Sequence, residues 1–322
     1  MENKVMSDFE NTTKKLISIV TPTYNEEENI EELYNQIKKS ISNIKEYDFE
    51  IIVIDNDSTD KTQEILKNIA SKDKNFKVII NNRNFGHIRS PYYGILQSSG
   101  LATVYLASDL QDPPKYIPEL IDKWESGFKL VMAIKPESES GFLFHQTRKI
   151  YYRLLNKISD VAIIKDSTGF GIYDSEVINQ LKKINEPYPF LRGLICDLGY
   201  KVETISFKQP ARKRGLTKNN FYTLYDIGIL GVISHSKVPI RFAAFLGFIM
   251  GFVSFIVAIF YVILKLLFWS SFPMGTAPII ISIFFFLGLQ FMFIGVIGEY
   301  IGSIHTYSQN RPLVIEKERI NF

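Results

Sequence analysis

LASDLQDPP, residues 106–114, decides how the rest of the chain is read. It follows ATVYL, residues 102–106, an unbroken apolar run of the kind that forms a strand buried on both faces. The run stops at an acidic and amide-rich turn, Ser108-Asp109-Leu110-Gln111-Asp112, and Pro113-Pro114 then opens a helix. In open α/β sheets, ligands sit just beyond the carboxyl ends of strands. A cluster of hard oxygens there suits a hydrated divalent cation, Mg²⁺ or Mn²⁺. A solvated turn capping a helix would use the same residue types, so the neighbouring segments decide between the two.

Three similar units precede it. LISIVTPT (16–23) is a β-branched run ended by Pro22, and Asn25-Glu26-Glu27-Glu28 is an acid-rich helix start. Ile30, Leu33, Ile37 and Ile41 follow at helical spacing, in a helix running to about residue 44. FEIIVI (49–54) is a second strand, closed by the polar turn 55–60 and followed by a helix carrying Ile65, Leu66 and Ile69. Residues 76–80 form a third strand, with Asn84-Phe85-Gly86-His87 and a helix near 90–99 behind it. Beyond the opening stretch, KLVMAI (129–134) is a further strand. Strands alternating with helices predict a doubly wound α/β fold, a mainly parallel sheet flanked by helices. Polar turns around Asn25, Asp55 and Asp109 then converge on one edge, as a nucleotide crevice requires. No Gly-x-Gly-x-x-Gly follows the first strand and no Gly-x-x-x-x-Gly-Lys occurs, which argues against a dinucleotide dehydrogenase or a P-loop enzyme. A diphosphate would have to be neutralised by metal and basic side chains instead. Of the four histidines, His87 lies near the crevice, and none has metal-ligand spacing.

The 322 residues carry 37 basic and 34 acidic side chains, a net charge of +3, so bulk charge names no partner and nucleic acid is not expected. Cys196 is the one cysteine, which excludes an internal disulfide and fits a reducing compartment. The first fifteen residues are polar and lack the apolar core of a signal peptide. Hydrophobicity is concentrated late. Residues 240–268 are interrupted only by Arg241 and Lys265, and residues 277–297 carry no charge. Each exceeds the roughly 20 residues that cross a bilayer, so two transmembrane helices are expected. Lys237 and Arg241 before the pair, Arg311, Lys317 and Arg319 after it, and an uncharged connection with Trp269 at the far interface place both termini in the cytoplasm. The basic strip 201–218 and the amphipathic stretch that follows it suit the membrane surface. Gly247 with Gly251, and Gly298 with Gly302, have the spacing of close helix contacts and leave a homo-oligomer open. The expected organisation is a polar tail (1–15), a cytoplasmic catalytic domain (16–218), a juxtamembrane region (219–239), two spans (240–304) and a cytoplasmic tail (305–322).

TPTYNEEENI, IDNDSTDKT and SDLQDPP, in that order, resemble the inverting family 2 glycosyltransferases with their nucleotide-sugar-binding (GT-A-like) fold. RGLICDLGYK, PARKRGLTK, the two spans and GEYIGSIHTYSQNRPLVIEKE are similar to the polyisoprenyl-phosphate branch, the bactoprenol glucosyltransferase and dolichyl-phosphate mannose synthase type. The resemblance implies that Pro22, Tyr24 and Glu26 hold the nucleoside and that Ile54, Asp55 and Asn56 contact base and ribose. It implies Asp109 and Gln111 as metal ligands, Ser108 beside the sugar nucleotide, and Lys135 as a basic donor contact. Arg214 and Lys218 match residues that grip the diphosphate or the acceptor phosphate. Two departures stand out. The first Asp of the family's DxD is Ala107, with Asp112 or Asp57 available to compensate. The common Gly-Glu-Ser-Lys reads Gly215-Leu216-Thr217-Lys218.

The implied reaction is inverting transfer of one sugar from a nucleotide-diphosphate sugar, UDP favoured over GDP, to polyisoprenyl (undecaprenyl) phosphate at the cytoplasmic face of the inner (plasma) membrane. The product would be a lipid-linked sugar for cell-envelope glycan modification. A metal at Asp109 and Gln111 would act as Lewis acid, and Arg212 and Arg214 would add charge-assisted hydrogen bonds to the leaving diphosphate. A lipid phosphate is already an anion and needs positioning more than deprotonation. Two competitors remain: transfer to a glycolipid or polysaccharide, and a catalytically weak membrane scaffold suggested by Ala107. Metal-dependent binding of a nucleotide diphosphate separates the scaffold from the enzymes.

Overall fold

The computed structural model describes residues 15–135, 164, 167–184, 186–210, 236, 238–268 and 276–322. Arg212, Arg214, Lys218, Trp269 and nearly all of the tail and juxtamembrane region expected from the sequence lie outside the described residues. The order is β1 (Lys15–Thr23), α1 (Ile30–Ile41), β2 (Tyr47–Asp55), α2 (Thr62–Lys72), β3 (Phe76–Asn81), α3 (Gly86–Leu96) and β4 (Ala102–Tyr105). A 3₁₀ turn, Pro114–Tyr116, then leads into α4 (Ile117–Glu125), β5 (Leu130–Ile134), β6 (Ser167–Asp174), α5 (Ser175–Lys183), α6 (Leu191–Asp197) and β7 (Val202–Ser206). Two long helices, α7 (Val238–Leu267) and α8 (Thr276–Ser308), precede a last strand, β8 (Glu316–Ile320).

Among the described residues, eight strands form one sheet in the order β7-β5-β6-β4-β1-β2-β3-β8. Its centre, β4-β1-β2-β3, is parallel, and β5 pairs with β7 in parallel. The expected mainly parallel sheet is corrected to a mixed one: β6 runs antiparallel to both β4 and β5, and β8 antiparallel to β3. Gly171 explains how β6 fits between its neighbours. A Cβ at that position would sit 2.3 Å from the carbonyl oxygen of Val131 on β5.

Helices cover both faces, so the central strands read as continuous apolar runs rather than alternating ones. Ile17 and Ile19 face one layer with Ile30, Leu33 and Ile37 of α1, Leu66 of α2 and Leu120 of α4. Val20, Ile52 and Ile54 face the other, with Tyr92 and Ile95 of α3, Leu181 of α5 and Leu194 of α6. The three-four spacing of α1 thus marks its buried stripe, as its sequence predicts.

α7 and α8 span 30 and 33 residues, about 45 and 50 Å of helix, longer than the ~30 Å hydrocarbon core of a bilayer. Their apolar side chains face outward, Phe248 at 81% exposure and Phe291 at 69%. By length and composition, one stretch among the described residues, Phe285–Ser308, is long and apolar enough to cross a membrane. The Tyr300 hydroxyl donates to the carbonyl oxygen of Ser236 (2.7 Å), joining α8 to the residues just before α7. After α8 the chain returns to the sheet. The Asn321 amide donates to the carbonyl oxygens of Ala70 (2.7 Å) and Phe76 (2.9 Å), pinning β8 against β3. Within residues 305–322, set apart as a tail on sequence grounds, β8 closes one edge of the sheet.

Candidate active site

The carboxyl ends of β1, β2 and β4 open on one edge, and each turn there holds a non-glycine residue in the left-handed region: Asn25 (φ 53°), Asp57 (φ 64°) and Leu110 (φ 61°). Such strain persists only where the surroundings enforce it, and it collects at functional sites. The first two turns lock together. The Asn25 amide N–H donates to Ser58 Oγ (2.8 Å), and Asn25 Oδ1 accepts from the Thr59 N–H (2.8 Å). The Glu26 N–H donates to Thr62 Oγ1 (2.9 Å), while Glu26 Oε2 accepts from Asn29 Nδ2 (2.6 Å).

Several residues expected to touch substrate serve this frame. Asp55 is fully buried, and its carboxylate accepts from the Ser58 N–H (3.0 Å), Ser58 Oγ (2.5 Å) and Gln63 Nε2 (2.9 Å). Burial raises its pKa, with the neighbouring Asp57 adding to the rise against the hydrogen bonds from Ser58 and Gln63. Asn56 uses its whole amide internally: Nδ2 donates to Asn84 Oδ1 and the Gly86 carbonyl, and Oδ1 accepts from Asn81 Nδ2 and the Phe85 N–H. It thereby fixes the start of α3. Ile54 is fully buried in the core, across the sheet register from Pro22. Tyr24 follows β1 directly and is partly exposed.

The β4 turn is arranged differently. Ser108 and Asp112 are buried, and Asp109 and Gln111 are partly exposed at its surface. Asp109 Oδ1 accepts from the Gln111 N–H (3.1 Å), and Asp112 Oδ2 from the Ala107 N–H (3.1 Å). Thr168 Oγ1 on β6 donates to Asp112 Oδ1 (3.3 Å). The Asp112 carboxylate therefore stands against the position where the family motif has its first Asp. Its pKa is pushed up to about 6, first by burial and further by the nearby Asp109 charge, with Lys135 pulling the other way. Lys135 Nζ donates to Gln209 Oε1 (2.8 Å).

Among the described residues, no group of three or more His, Cys, Asp or Glu side chains is gathered as a metal centre. Two carboxylates and an amide in one turn nevertheless match the donor chemistry of Mg²⁺ or Mn²⁺, which keep waters and complete their shell with substrate phosphate. A cation there would also relieve the mutual repulsion of Asp109 and Asp112. The residues fit such an ion as a partly open site rather than a closed cage.

A pocket of about 120 Å³ adjoins this turn, between His87 on α3, Tyr105 at the end of β4, Thr168, and Phe190 and Arg192 at the start of α6. It is smaller than the ~300–1,000 Å³ of a complete ligand site. Arg192 Nη1 donates to the Ser167 carbonyl (3.2 Å) and its guanidinium lies 5.4 Å from the Phe190 ring centroid. Thr168 carried no legible signal, because Gly169 and Gly171 mask β6 as a strand.

The family model described as Glycosyl transferase family 2 matches residues 18–181, from β1 through α5. A Bacillus subtilis (strain 168) protein, the uncharacterized glycosyltransferase YkcC, is 34% identical over 299 residues, covering 92% of this chain and 92% of its own. The chain belongs to glycosyl transferase family 2. The matched span holds all three strand-end turns, so the family 2 signature coincides with the edge where the strained residues cluster. Beyond that span, this family 2 chain is 32% identical over 302 residues to the bactoprenol glucosyl transferase of Shigella phage SfV, covering 94% of this chain and 98% of that one. The resemblance to the polyisoprenyl-phosphate branch therefore extends through the long helices. A glucosyl-3-phosphoglycerate synthase from Mycobacterium tuberculosis, solved with Mn²⁺, UDP and phosphoglyceric acid, is similar at a TM-score of 0.47 and 19% identity, covering 67% of this chain and 75% of that chain. That likeness is too slight to add to the assignment.

Proposed function

We propose that this glycosyltransferase moves one sugar from a nucleotide-diphosphate sugar to polyisoprenyl phosphate at a membrane surface, with inversion at the anomeric carbon. The observation that carries the reading is the Asp109–Asp112 turn, two carboxylates at the end of β4 in a chain whose relatives include bactoprenol glucosyl transferases along nearly its full length. Asp109, Gln111 and Asp112 would hold a divalent ion, which when bound neutralises diphosphate charge and makes it a better leaving group. Tyr24 and Pro22 stand at the neighbouring strand end, where the nucleoside would lie. Asp55 and Asn56 act from behind, by fixing the turn and the start of α3. Lys135, whose charge acts on Asp112 and whose Nζ donates to Gln209, is assigned to the sugar side of the diphosphate on the family resemblance. Arg212, Arg214 and Lys218 complete the basic side of the site on sequence grounds. The acceptor phosphate is an anion at neutral pH, so attack requires alignment and no general base.

Membrane insertion through α7 and α8 is supported by the path of the chain. Phe207 is hydrogen-bonded to Ile134 in the sheet, and β8 pairs with the same sheet at its other edge. Any crossings between them must therefore be even in number, and the two long helices would supply two, with Phe285–Ser308 of α8 the stretch among the described residues that is long and apolar enough by itself. Basic flanks at Arg241, Arg311, Lys317 and Arg319 support a cytoplasmic side for the sheet by the positive-inside rule.

The test is incubation of the purified full chain with polyisoprenyl phosphate, Mg²⁺ or Mn²⁺, and a panel of labelled nucleotide sugars. A lipid-linked sugar is expected from one donor; no lipid-linked product from any of them would sink the proposal. Asp109→Ala should lower transfer by at least about 100-fold, as expected for losing a group that stabilises developing charge, while the protein stays folded. Full activity in that variant would place the ion elsewhere.

A further inference from the structure

The end of β3 and the start of α3 carry two arginines whose guanidiniums share one aromatic ring. Arg83 Cζ lies 4.0 Å and Arg89 Cζ 5.4 Å from the centroid of Phe85. Arg89 also donates through Nη2 to the Pro312 carbonyl, which brings Arg311, the residue before it, into the same cluster. Arg83 spends one hydrogen bond on the Asn84 carbonyl (3.0 Å). Among the described residues, none of the three makes an ion pair with a carboxylate. The Arg89 Nε is buried and has no hydrogen-bond partner. Burial, then the charges of Arg83 and Arg311, pull the Arg89 pKa down, the mark of like charges crowded together. The first turn of α3 carries no acidic residue, and Phe85 supplies no side-chain cap, so the positive end of that helix adds to the same field.

Arg83 and Arg89 on one ring, with Arg311 entering the same field, make this rim favourable to an anion from outside. Forked N–H donors match phosphate oxygens best, and stacking on Phe85 presets two of the forks. The position narrows the source of the phosphate. Arg311 lies three residues past the end of α8, whose last turns expose Ile301 (59%) and Ile304 (66%). Arginines just beyond an apolar helix meet the anionic headgroup layer of a membrane. The cluster ends β3 and the Asp109 turn ends β4, with β1 and β2 between them. At the usual strand spacing they are about 14 Å apart, so the two sites are separate.

We propose that Arg83, Arg89 and Arg311 form a binding site for the phosphate of an anionic phospholipid headgroup, seating the rim of the sheet on the membrane. The inference rests on α8 lying in the membrane, as in the proposed function.

The test uses the purified full chain in non-ionic detergent, with thermal unfolding and native mass spectrometry as readouts. The probes are short-chain phosphatidylglycerol, short-chain phosphatidylcholine and inorganic phosphate. Phosphatidylglycerol should bind and raise the unfolding midpoint, phosphatidylcholine should not, and inorganic phosphate should do so only weakly. Arg83→Gln and Arg311→Gln should each weaken phosphatidylglycerol binding by about tenfold, the loss expected for a hydrogen bond to a charged group. Arg89 is left intact in these variants because it also holds the Pro312 carbonyl. Equal binding of inorganic phosphate would overturn the lipid assignment. Equal binding of phosphatidylcholine, or unchanged binding in both variants, would overturn the site. Sugar transfer measured on the same samples separates the two proposals: phosphatidylglycerol binding without lipid-linked product refutes only the reaction, and product without binding refutes only this site.

Discussion

At φ 64°, Asp57 sits in the left-handed region, where an L side chain costs roughly 1 kcal/mol and glycine costs nothing. Its charge also bears on the buried Asp55 next door. Asp57→Gly should therefore stabilise the protein by a few tenths of a kcal/mol, about 1 kcal/mol of relieved strain less the added freedom of glycine in the unfolded chain, a rise of roughly 1–2 °C in the unfolding midpoint. Circular dichroism melts of the two proteins check it, and a lowered midpoint would contradict the strain argument. Transfer should persist in this variant, because Asp112 and not Asp57 stands against Ala107. The same turn shows what a single sequence conceals. That residues 55–60 form a polar strand-end turn was legible, since strand periodicity ends at Ile54. Which way Asp55 and Asn56 turn their polar groups was not. Binding a nucleotide and bracing a turn call for the same residue types, and here the amide of Asn56 is consumed by Asn81, Asn84, Phe85 and Gly86.

Among the elements, β1, β2 and β3 are tied at a single buried carboxylate. Glu50 Oε1 accepts from Ser18 Oγ (2.5 Å), the Ser99 N–H (3.0 Å) and Ser99 Oγ (2.8 Å), and Oε2 accepts from Lys77 Nζ (2.6 Å). Burial alone would raise its pKa, but hydrogen bonds from Lys77, Ser18 and Ser99 outweigh that and hold it below the ordinary 4.5. The fold thus favours the ionised form. Its contribution is complete above about pH 4.5 and is lost as the pH falls through the depressed folded value. Urea unfolding of the wild type should weaken on acidification below that point, and Glu50→Gln should flatten the dependence. Glu50→Gln should also cost about 1–3 kcal/mol at neutral pH, because Lys77 loses its ionic partner. Identical pH profiles for the two proteins would remove Glu50 from this role. The first four strands and helices were readable because the strands are continuous apolar runs and the helices between them carry a periodic apolar stripe. β8 was not, because Glu316-Lys317-Glu318-Arg319 has neither apolar alternation nor a nearby partner. Charged residues suit an edge strand, and only the pairing with β3 reveals it.

For the whole molecule, the pairing of β8 with β3 makes topology testable without sugar chemistry. A single cysteine placed at Asn310 in a Cys196→Ser background should resist membrane-impermeant reagents in intact cells and react once the membrane is opened. Labelling in intact cells would overturn the cytoplasmic placement proposed for the sheet that β8 completes. The two long helices were legible from composition alone, since apolar runs of that length, with at most two charges, have few alternatives. The mixed sheet was not, because local pattern carries no information on whether β6 enters parallel or antiparallel.

Translation delivers β3 before either long helix and β8 after both. At roughly 5–20 residues per second, β3 waits on the order of 10–50 s for its neighbour, its outer backbone groups open all that time. The salt bridge between Lys67 and Glu318, 251 residues apart, can form only after both long helices have been synthesised. The last strand is in effect a latch: until residues 316–320 are made, the outer edge of β3 stays open and the sheet unfinished.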